Sequence, residues 1–188
     1  MDNRSQILGV ALQLFSDRGY DAVGVQEIAE AAGVTKPTLY HYFGSKQGLL
    51  KTLLEGSFEP FNRAVSQAAG YSGDLPLTLE NLVRAYFDFA RQHPVDYRLQ
   101  LALYFAPRSS EAWHLVAGLN SQQYQVVENL FRSASKEHGN MTGRHQLYAA
   151  SFIGQVNTCI SLWLNGYLEL EDSLVHRVVH QFQHGIYS

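Results

Sequence analysis

Residues 25–43 hold two short helical patterns that are separated by only three residues, Gly33-Val34-Thr35. In VQEIAEAAG the apolar residues recur on one face, and the glycine that follows them is typical of a helix end. Thr35 can cap the next helix, and Pro37 falls in its first turn, where a missing N–H costs nothing. The pattern predicts a helix-turn-helix, whose second helix normally lies in the major groove of DNA.

The remainder of the chain also follows helical spacing, and no strand pattern occurs in it. A first helix is predicted over residues 3–19, and Ser45 caps a fourth helix that continues to about residue 69. Glycine and proline breaks divide the rest into helices near residues 79–93, 95–105, 111–137, 144–165 and 172–184. The predicted fold is all-α, with about nine helices. A three-helix helix-turn-helix DNA-binding domain spans residues 1–46, and a larger helical effector-binding and dimerisation domain spans residues 47–188.

Residues 31–54 carry three lysines and no acidic residue, although the whole chain has a net charge of −3. Any binding to nucleic acid must therefore come from a local patch. In the predicted third helix Leu39 and Phe43 are four residues apart and face the core, which leaves polar side chains outside. Hydroxyl and ammonium groups suit a DNA backbone. The alternative is that the tyrosines only fill a small core and leave their hydroxyls in water.

The composition, with 46% hydrophobic and 16% charged residues, is typical of a soluble globular protein. The N-terminus lacks the order of a signal peptide, and no apolar run approaches the length of a membrane span. We therefore expect a cytoplasmic protein without membrane contact. Cys159 is the only cysteine, which excludes an internal disulfide and a CxxC motif.

The stretch VQEIAEAAGVTKPTLYHYFGSKQGLL resembles the N-terminal signature of TetR-type (TetR/AcrR) bacterial transcriptional regulators, and the resemblance covers residues 4–55. It implies a homodimer whose heads bind a palindromic operator in double-stranded DNA and whose larger domains dimerise and bind a small-molecule effector. By this resemblance, bases are read or approached by Thr35, Lys36, Thr38 and His41, and phosphates are gripped by Tyr40, Tyr42 and Lys46. Gly24 stands where the family commonly has a Ser or Thr that touches a phosphate, so Gln26 is the nearest replacement.

The larger domain is rich in aromatic residues, most of which must form its core. Pockets lined by aromatic side chains and a few polar groups are the usual small-ligand sites. The candidate lining of an effector pocket is Tyr86, Phe89, Tyr97, Leu101, Tyr104, Phe105, Trp113, Tyr124 and Phe152, and core packing is the alternative for each. We expect a largely apolar or aromatic effector, with or without one anionic group, because the helices display no carboxylate cluster for a cation.

The predicted eighth helix is apolar on almost every side, and such a helix must be buried on both faces. We expect one face to meet a second subunit, since Gly154 and Ser161 would permit the close approach of a partner helix. The predicted dimer interface consists of Ile153, Ile160, Leu164, Val175, Val179 and Phe182. The alternative is a central helix enclosed within one subunit.

His176, His180 and His184 recur at four-residue spacing, which would place three imidazoles on one helix face. No carboxylate or cysteine completes a zinc ligand set, so we predict a polar helix edge and neither metal nor cofactor. Because no GxSxG or phosphate-binding glycine motif occurs, no catalytic residue is predicted. The sequence favours a ligand-responsive DNA-binding regulator, and a repressor rather than an activator. The alternative is a helical small-molecule-binding protein or enzyme without DNA function, which would lack salt-dependent DNA binding.

Overall fold

The computed structural model describes residues 2–185, apart from the side chain of Asn140. Within this range the backbone forms nine α-helices and one short 3₁₀-helix, with no strand, which confirms the predicted fold class. The helices are α1 (Asn3–Arg18), α2 (Val25–Ala31), α3 (Lys36–Phe43), α4 (Lys46–Ala68), α5 (Leu75–Gln92), α6 (Pro94–Tyr104), α7 (Glu111–Ala134), α8 (His145–Leu164) and α9 (Asp172–His184). The 3₁₀-helix, Gly139–Met141, lies between α7 and α8.

Side-chain caps fix where the helices around the DNA-binding motif begin. Thr35 Oγ1 accepts a hydrogen bond from the Thr38 amide at 3.3 Å, and Ser45 Oγ accepts one from the Gly48 amide at 2.9 Å. Both caps satisfy an amide that has no partner within its own helix. Gly33 turns the chain between α2 and α3 with a φ of +62°, a conformation that favours glycine. These local signals account for the close agreement between the predicted and observed helix-turn-helix.

The first of two compact units comprises the chain up to Pro60 together with His93–Leu119. Helix α1 packs against α2 and α3, and most extensively against α6. Phe15 of α1 is fully buried in the same apolar core as Leu99 and Leu103 of α6. Leu99 and Leu103 follow the helix-turn-helix by more than fifty residues and yet complete the core of this first unit, which is called the head below.

The second compact unit comprises Phe61–Gln92 and the chain from Asn120 onward, in which α5 packs against α8 and α9. Arg91 Nη1 donates to the Leu170 carbonyl oxygen at 2.9 Å, which ties α5 to the loop before α9. Helices α4 and α7 each contribute residues to both units. The compact units meet at three points of the chain, because α6 and the first turns of α7 belong to the same unit as α1–α3. The assignment of DNA binding to residues 1–46 and of effector binding and dimerisation to residues 47–188 stays a prediction.

Helix α8 buries one face within its own chain. Ile153 and Ile160 are buried there, as are Val175 and Val179 of α9, while Leu164 and Phe182 are partly buried. Four of the six residues predicted to form the dimer interface are therefore buried inside the second unit. The interface prediction itself concerns a second subunit and stays a prediction.

The opposite face of α8 is exposed and carries no charge. It consists of small or apolar residues at helical spacing, Leu147, Ala150, Gly154, Thr158 and Leu162. The whole helix lacks Asp, Glu, Lys and Arg. Its length and hydropathy would also suit a membrane crossing, but core helices of soluble proteins share those properties. An exposed, uncharged face that runs from Leu147 to Leu162 is typical of a site where a protein contacts a partner molecule.

Candidate nucleic-acid interface and ligand cavity

The outward side of α3 carries most of the predicted DNA-binding side chains. Leu39 and Phe43 are buried in the head core, as their spacing predicts. Tyr40 and Tyr42 are 46% and 41% exposed. The other predicted residues of this segment are exposed, namely Thr35, Lys36 and His41, or half-buried, namely Thr38. The helix thus leaves hydroxyl, ammonium and imidazole groups outside the core, which suits contact with phosphates and base edges.

Three of the predicted contact residues already have partners in the chain. Thr35 Oγ1 lies 2.9 Å from Thr38 Oγ1, so the cap of α3 brings two hydroxyl groups together. Gln26 Nε2 donates to Glu30 Oε1 one turn further along α2. A contact from Gln26 to phosphate would have to replace this bond, which makes Gln26 the weaker candidate.

Lys46, the first residue of α4, lies over aromatic rings rather than in open solvent. Its Nζ is 4.1 Å from the centroid of the Tyr20 ring and 5.9 Å from that of Phe15. Burial lowers the pKa of Lys46, while Asp21 and Glu111 act in the opposite direction. The ammonium is therefore held at a fixed place in the head. This packing could not be predicted from local sequence, because the groups around Lys46 come from distant parts of the chain.

Arg4 is a cation of the head that the sequence analysis did not select. Its guanidinium carbon lies 5.7 Å from the centroid of the Phe43 ring, at the C-terminal end of α3. By contrast, Arg18 is occupied by an ion pair with Glu27 of α2. Arg4 is outside the helix-turn-helix segment, so the motif could not indicate it, and its position makes it a further candidate for phosphate contact.

We expect Tyr42→Phe to weaken binding to every DNA duplex by about tenfold, because it removes one hydroxyl bond to a charged phosphate. Lys36→Ala should instead alter the preference among sequences. Anisotropy titrations would compare a duplex selected by the parent protein from a random pool with a scrambled duplex. Equal losses on both duplexes for Lys36→Ala would contradict a base-reading role for Lys36.

The second unit contains a cavity of about 730 Å³. This volume falls within the range of small-molecule sites in proteins. The cavity lies among the ends of α5, α7, α8 and α9, and its lining includes Leu75, Leu79, Phe131, His138, Met141, Leu147, Tyr148, Ser151, Gln155, Gln181 and Phe182. No Asp, Glu, Lys or Arg belongs to this lining. The cavity therefore favours an uncharged, largely apolar occupant.

Three aromatic rings form one wall of the cavity. The centroid of the Phe131 ring lies 5.7 Å from that of Tyr148 and 5.8 Å from that of Phe182, and the latter two are 6.4 Å apart. Gln155 Nε2 donates to the Val178 carbonyl oxygen at 3.3 Å, which fixes this polar side chain beside the rings. The wall combines flat apolar surface with a few hydrogen-bonding groups, as ligand sites commonly do.

The nine residues predicted to line an effector pocket fall elsewhere. In the first unit are Tyr97, Leu101, Tyr104, Phe105 and Trp113, and in the second are Tyr86, Phe89, Tyr124 and Phe152. Tyr97, Tyr86 and Phe152 are fully buried, whereas Phe105 is 79% exposed. None of the nine belongs to the cavity lining. Their role in ligand binding stays a prediction, best supported for Tyr86, whose buried hydroxyl lacks a hydrogen-bond partner in residues 2–185.

His176, His180 and His184 lie along the exposed edge of α9. His176 Nδ1 lies 3.0 Å from Glu80 Oε1, and the rings of His180 and His184 are 4.7 Å apart. In the described part of the chain no group of three or more His, Cys, Asp or Glu side chains could hold a metal ion. The exposed edge of α9 is polar, as its pattern predicts.

Known proteins resemble this chain in its helix-turn-helix segment and, in one case, along nearly its whole length. Residues 7–53 fit the family model of bacterial regulatory proteins, tetR family. The HTH-type transcriptional activator FasR of Mycolicibacterium smegmatis is 30% identical over 185 residues, which cover 98% of this chain and 82% of the relative. The HTH-type transcriptional repressor KstR2 of Rhodococcus jostii is 33% identical over 85 residues, covering 45% of this chain and 42% of the relative.

Solved structures share the fold along almost the whole chain. The transcriptional regulator FadR from Bacillus subtilis, solved in complex with stearoyl-CoA, superposes with a TM-score of 0.77 at 18% identity, covering 97% of this chain and 99% of that one. The fatty acid degradation regulator FadR from Bacillus halodurans gives a TM-score of 0.77 at 21% identity, covering 100% and 97%.

A helix-turn-helix head in one unit and a ligand-sized cavity in the other define a ligand-responsive, DNA-binding transcriptional regulator. The HTH-type transcriptional activator FasR matches nearly the full length of the chain. This chain belongs to the tetR family of bacterial regulatory proteins.

Proposed function

We propose that this protein is a cytoplasmic repressor that is released from DNA when an apolar small molecule binds in its second unit. The observation that carries the proposal is the cavity of about 730 Å³, whose lining has no Asp, Glu, Lys or Arg. The relatives include an activator as well as a repressor, so a promoter assay must establish the sign of regulation.

The proposed effector carries an acyl chain or aromatic ring that occupies the cavity. The wall formed by Phe131, Tyr148 and Phe182 would pack against such a group and remove it from water. An anionic part of the same molecule would stay at the mouth of the cavity, because the lining within residues 2–185 includes no Lys or Arg to pair with it. The stearoyl-CoA bound to the Bacillus subtilis regulator makes a long acyl chain the first effector to test.

We further propose a homodimer that binds a roughly palindromic operator. The uncharged exposed face of α8, with Gly154 at its centre, supports a two-fold contact between identical helices. Two heads related by this symmetry would reach half-sites about one helical turn apart, and such half-sites repeat as a palindrome.

The effector proposal predicts reciprocal effects. Stearoyl-CoA should weaken binding to the selected duplex, and the duplex should weaken binding of stearoyl-CoA by the same factor. Anisotropy measures the first effect and calorimetry the second. If stearoyl-CoA, stearate and 2-naphthoate each bound without changing DNA affinity, effector-driven release would be contradicted.

A cavity-filling variant locates the site. Leu75→Trp, at the start of α5 and away from the exposed face of α8, should lower the affinity for stearoyl-CoA by about tenfold or more, because the larger indole would occupy space among the lining residues. Its affinity for the selected duplex should stay close to that of the parent. Ser173→Trp, which alters an exposed residue of α9 outside the cavity, is the matched control.

A further inference from the structure

Tyr20, just after α1, connects two charged side chains that are far apart in sequence. Its hydroxyl donates to Glu111 Oε2, in the first turn of α7, at 3.0 Å. The face of its ring lies 4.1 Å from Lys46 Nζ, at the start of α4. Tyr20 is only 5% exposed, whereas Lys46 is half-buried and Glu111 is exposed, so the ring is the fixed member of both contacts.

A second hydrogen bond holds the same corner of the head together. Ser110 Oγ donates to Asp21 Oδ1 at 3.3 Å and accepts from the Ala112 amide at 3.2 Å. Ser110 is buried, so this bond fixes the start of α7 to the residue that follows Tyr20. The first turn of α7 therefore has two attachments to the loop between α1 and α2.

The protonation states suit this arrangement. Burial, the bond to Glu111 and the nearby carboxylates raise the pKa of Tyr20, so its hydroxyl remains a donor at neutral pH. Burial lowers the pKa of Lys46, and Asp21 and Glu111 oppose that shift. The Lys46 ammonium lies over the Tyr20 ring, and the hydroxyl of the same ring is bonded to Glu111.

We propose that Tyr20 and Glu111 act as positioning residues that hold the Lys46 ammonium where a DNA phosphate meets the start of α4. The inference rests on the DNA-binding role of the head and on the predicted phosphate contact of Lys46. Displacing the first turn of α7 would remove the partner of the Tyr20 hydroxyl and release the lysine.

Substitutions of Tyr20, Glu111 and Lys46 test this proposal, and the measured quantities are DNA affinity and its dependence on salt. Tyr20→Phe keeps the ring and removes the hydroxyl, and should weaken binding to the selected duplex by about fivefold. Glu111→Ala should produce a similar loss, and the double variant should lose no more than either alone. Glu111→Gln retains an acceptor oxygen and should bind nearly as the parent does.

The decisive measurement repeats Tyr20→Phe in a Lys46→Ala background. If Tyr20 acts through Lys46, its hydroxyl should have no effect on DNA affinity there, and each single variant should flatten the salt dependence by up to one phosphate contact. A fivefold loss that persists in the Lys46→Ala background would overturn the proposal, since it would indicate a merely structural role. Parent-like affinity for Lys46→Ala would overturn it as well. In either case, binding of the duplex by the parent protein would still support the proposed regulator function.

Discussion

The Gly154→Glu variant should be a folded monomer that has lost tight operator binding. Gly154 lies on the exposed face of α8, and no atom lies within 4 Å of the position that a Cβ would take there. The substitution is therefore compatible with the fold of one chain. At a two-fold contact, however, each new carboxylate would face its own copy or the uncharged helix of the partner. Light scattering should report the mass of one chain.

The loss of DNA affinity should be about a hundredfold or more, because a single head no longer benefits from the second half-site. Two variants separate assembly from folding. Gly154→Ala should remain a dimer, whereas Ile160→Glu should unfold, because Ile160 is fully buried within its own chain and a glutamate there has no partner. If Gly154→Glu stayed dimeric with parent affinity, the subunit contact would lie elsewhere.

The second large effect is expected in the head. Leu39→Ala should lower the free energy of unfolding by about 2–5 kcal/mol, since Leu39 is fully buried and alanine leaves a cavity behind. Helix α3 has only eight residues and depends on packing for its stability. Binding to selected and scrambled duplexes should therefore be lost together.

Thermal unfolding followed by circular dichroism, together with duplex titration, measures both consequences of Leu39→Ala. Tyr40→Ala is the matched control, because Tyr40 is the adjacent residue but is largely exposed. It should leave the unfolding midpoint almost unchanged and affect DNA binding alone. A Leu39→Ala protein that bound the selected duplex as the parent does would show that α3 does not need this core contact.

The helix-turn-helix could be predicted from the sequence because its determinants are local. Thr35 and Ser45 cap helices that begin at the next residue, and Gly33 supplies the turn between them. The spacing of Leu39 and Phe43 sufficed to assign the inner side of α3, since residues four apart share a helix face. Each of these signals acts within a few residues, so tertiary packing had little to add.

The faces of α8 could not be assigned in the same way. Its twenty residues include no charged side chain, so no polar stripe distinguishes the outer face from the inner one. Ile160 and Leu162 are equally apolar, yet the first is buried and the second is exposed. Which of them faces solvent depends on where α5 and α9 pack against the helix, and that is a property of the folded unit.

The ligand cavity and the environment of Lys46 could not be predicted either, because both depend on the tertiary packing of the helices. Each is assembled from helix ends that lie far apart in the sequence, as with Leu75 and Phe182 in the cavity or Tyr20 and Glu111 beside the lysine. Periodicity indicates which face of a helix is apolar, but it does not indicate which helix ends meet. The aromatic stripes that the sequence did reveal are largely core, including Tyr86 and Tyr97.

The first unit is assembled from two stretches of chain, so it can be completed only after the second stretch has been synthesised. The helix-turn-helix leaves the ribosome early, but Leu99 and Leu103, which share a buried core with Phe15, follow it by more than fifty residues. Until then α1 has an uncovered apolar side, and nascent chains with such surfaces are prone to misassociate. The complete head requires α6, which emerges after α5. A nascent chain therefore acquires a stable DNA-binding head only after part of the second unit has been synthesised.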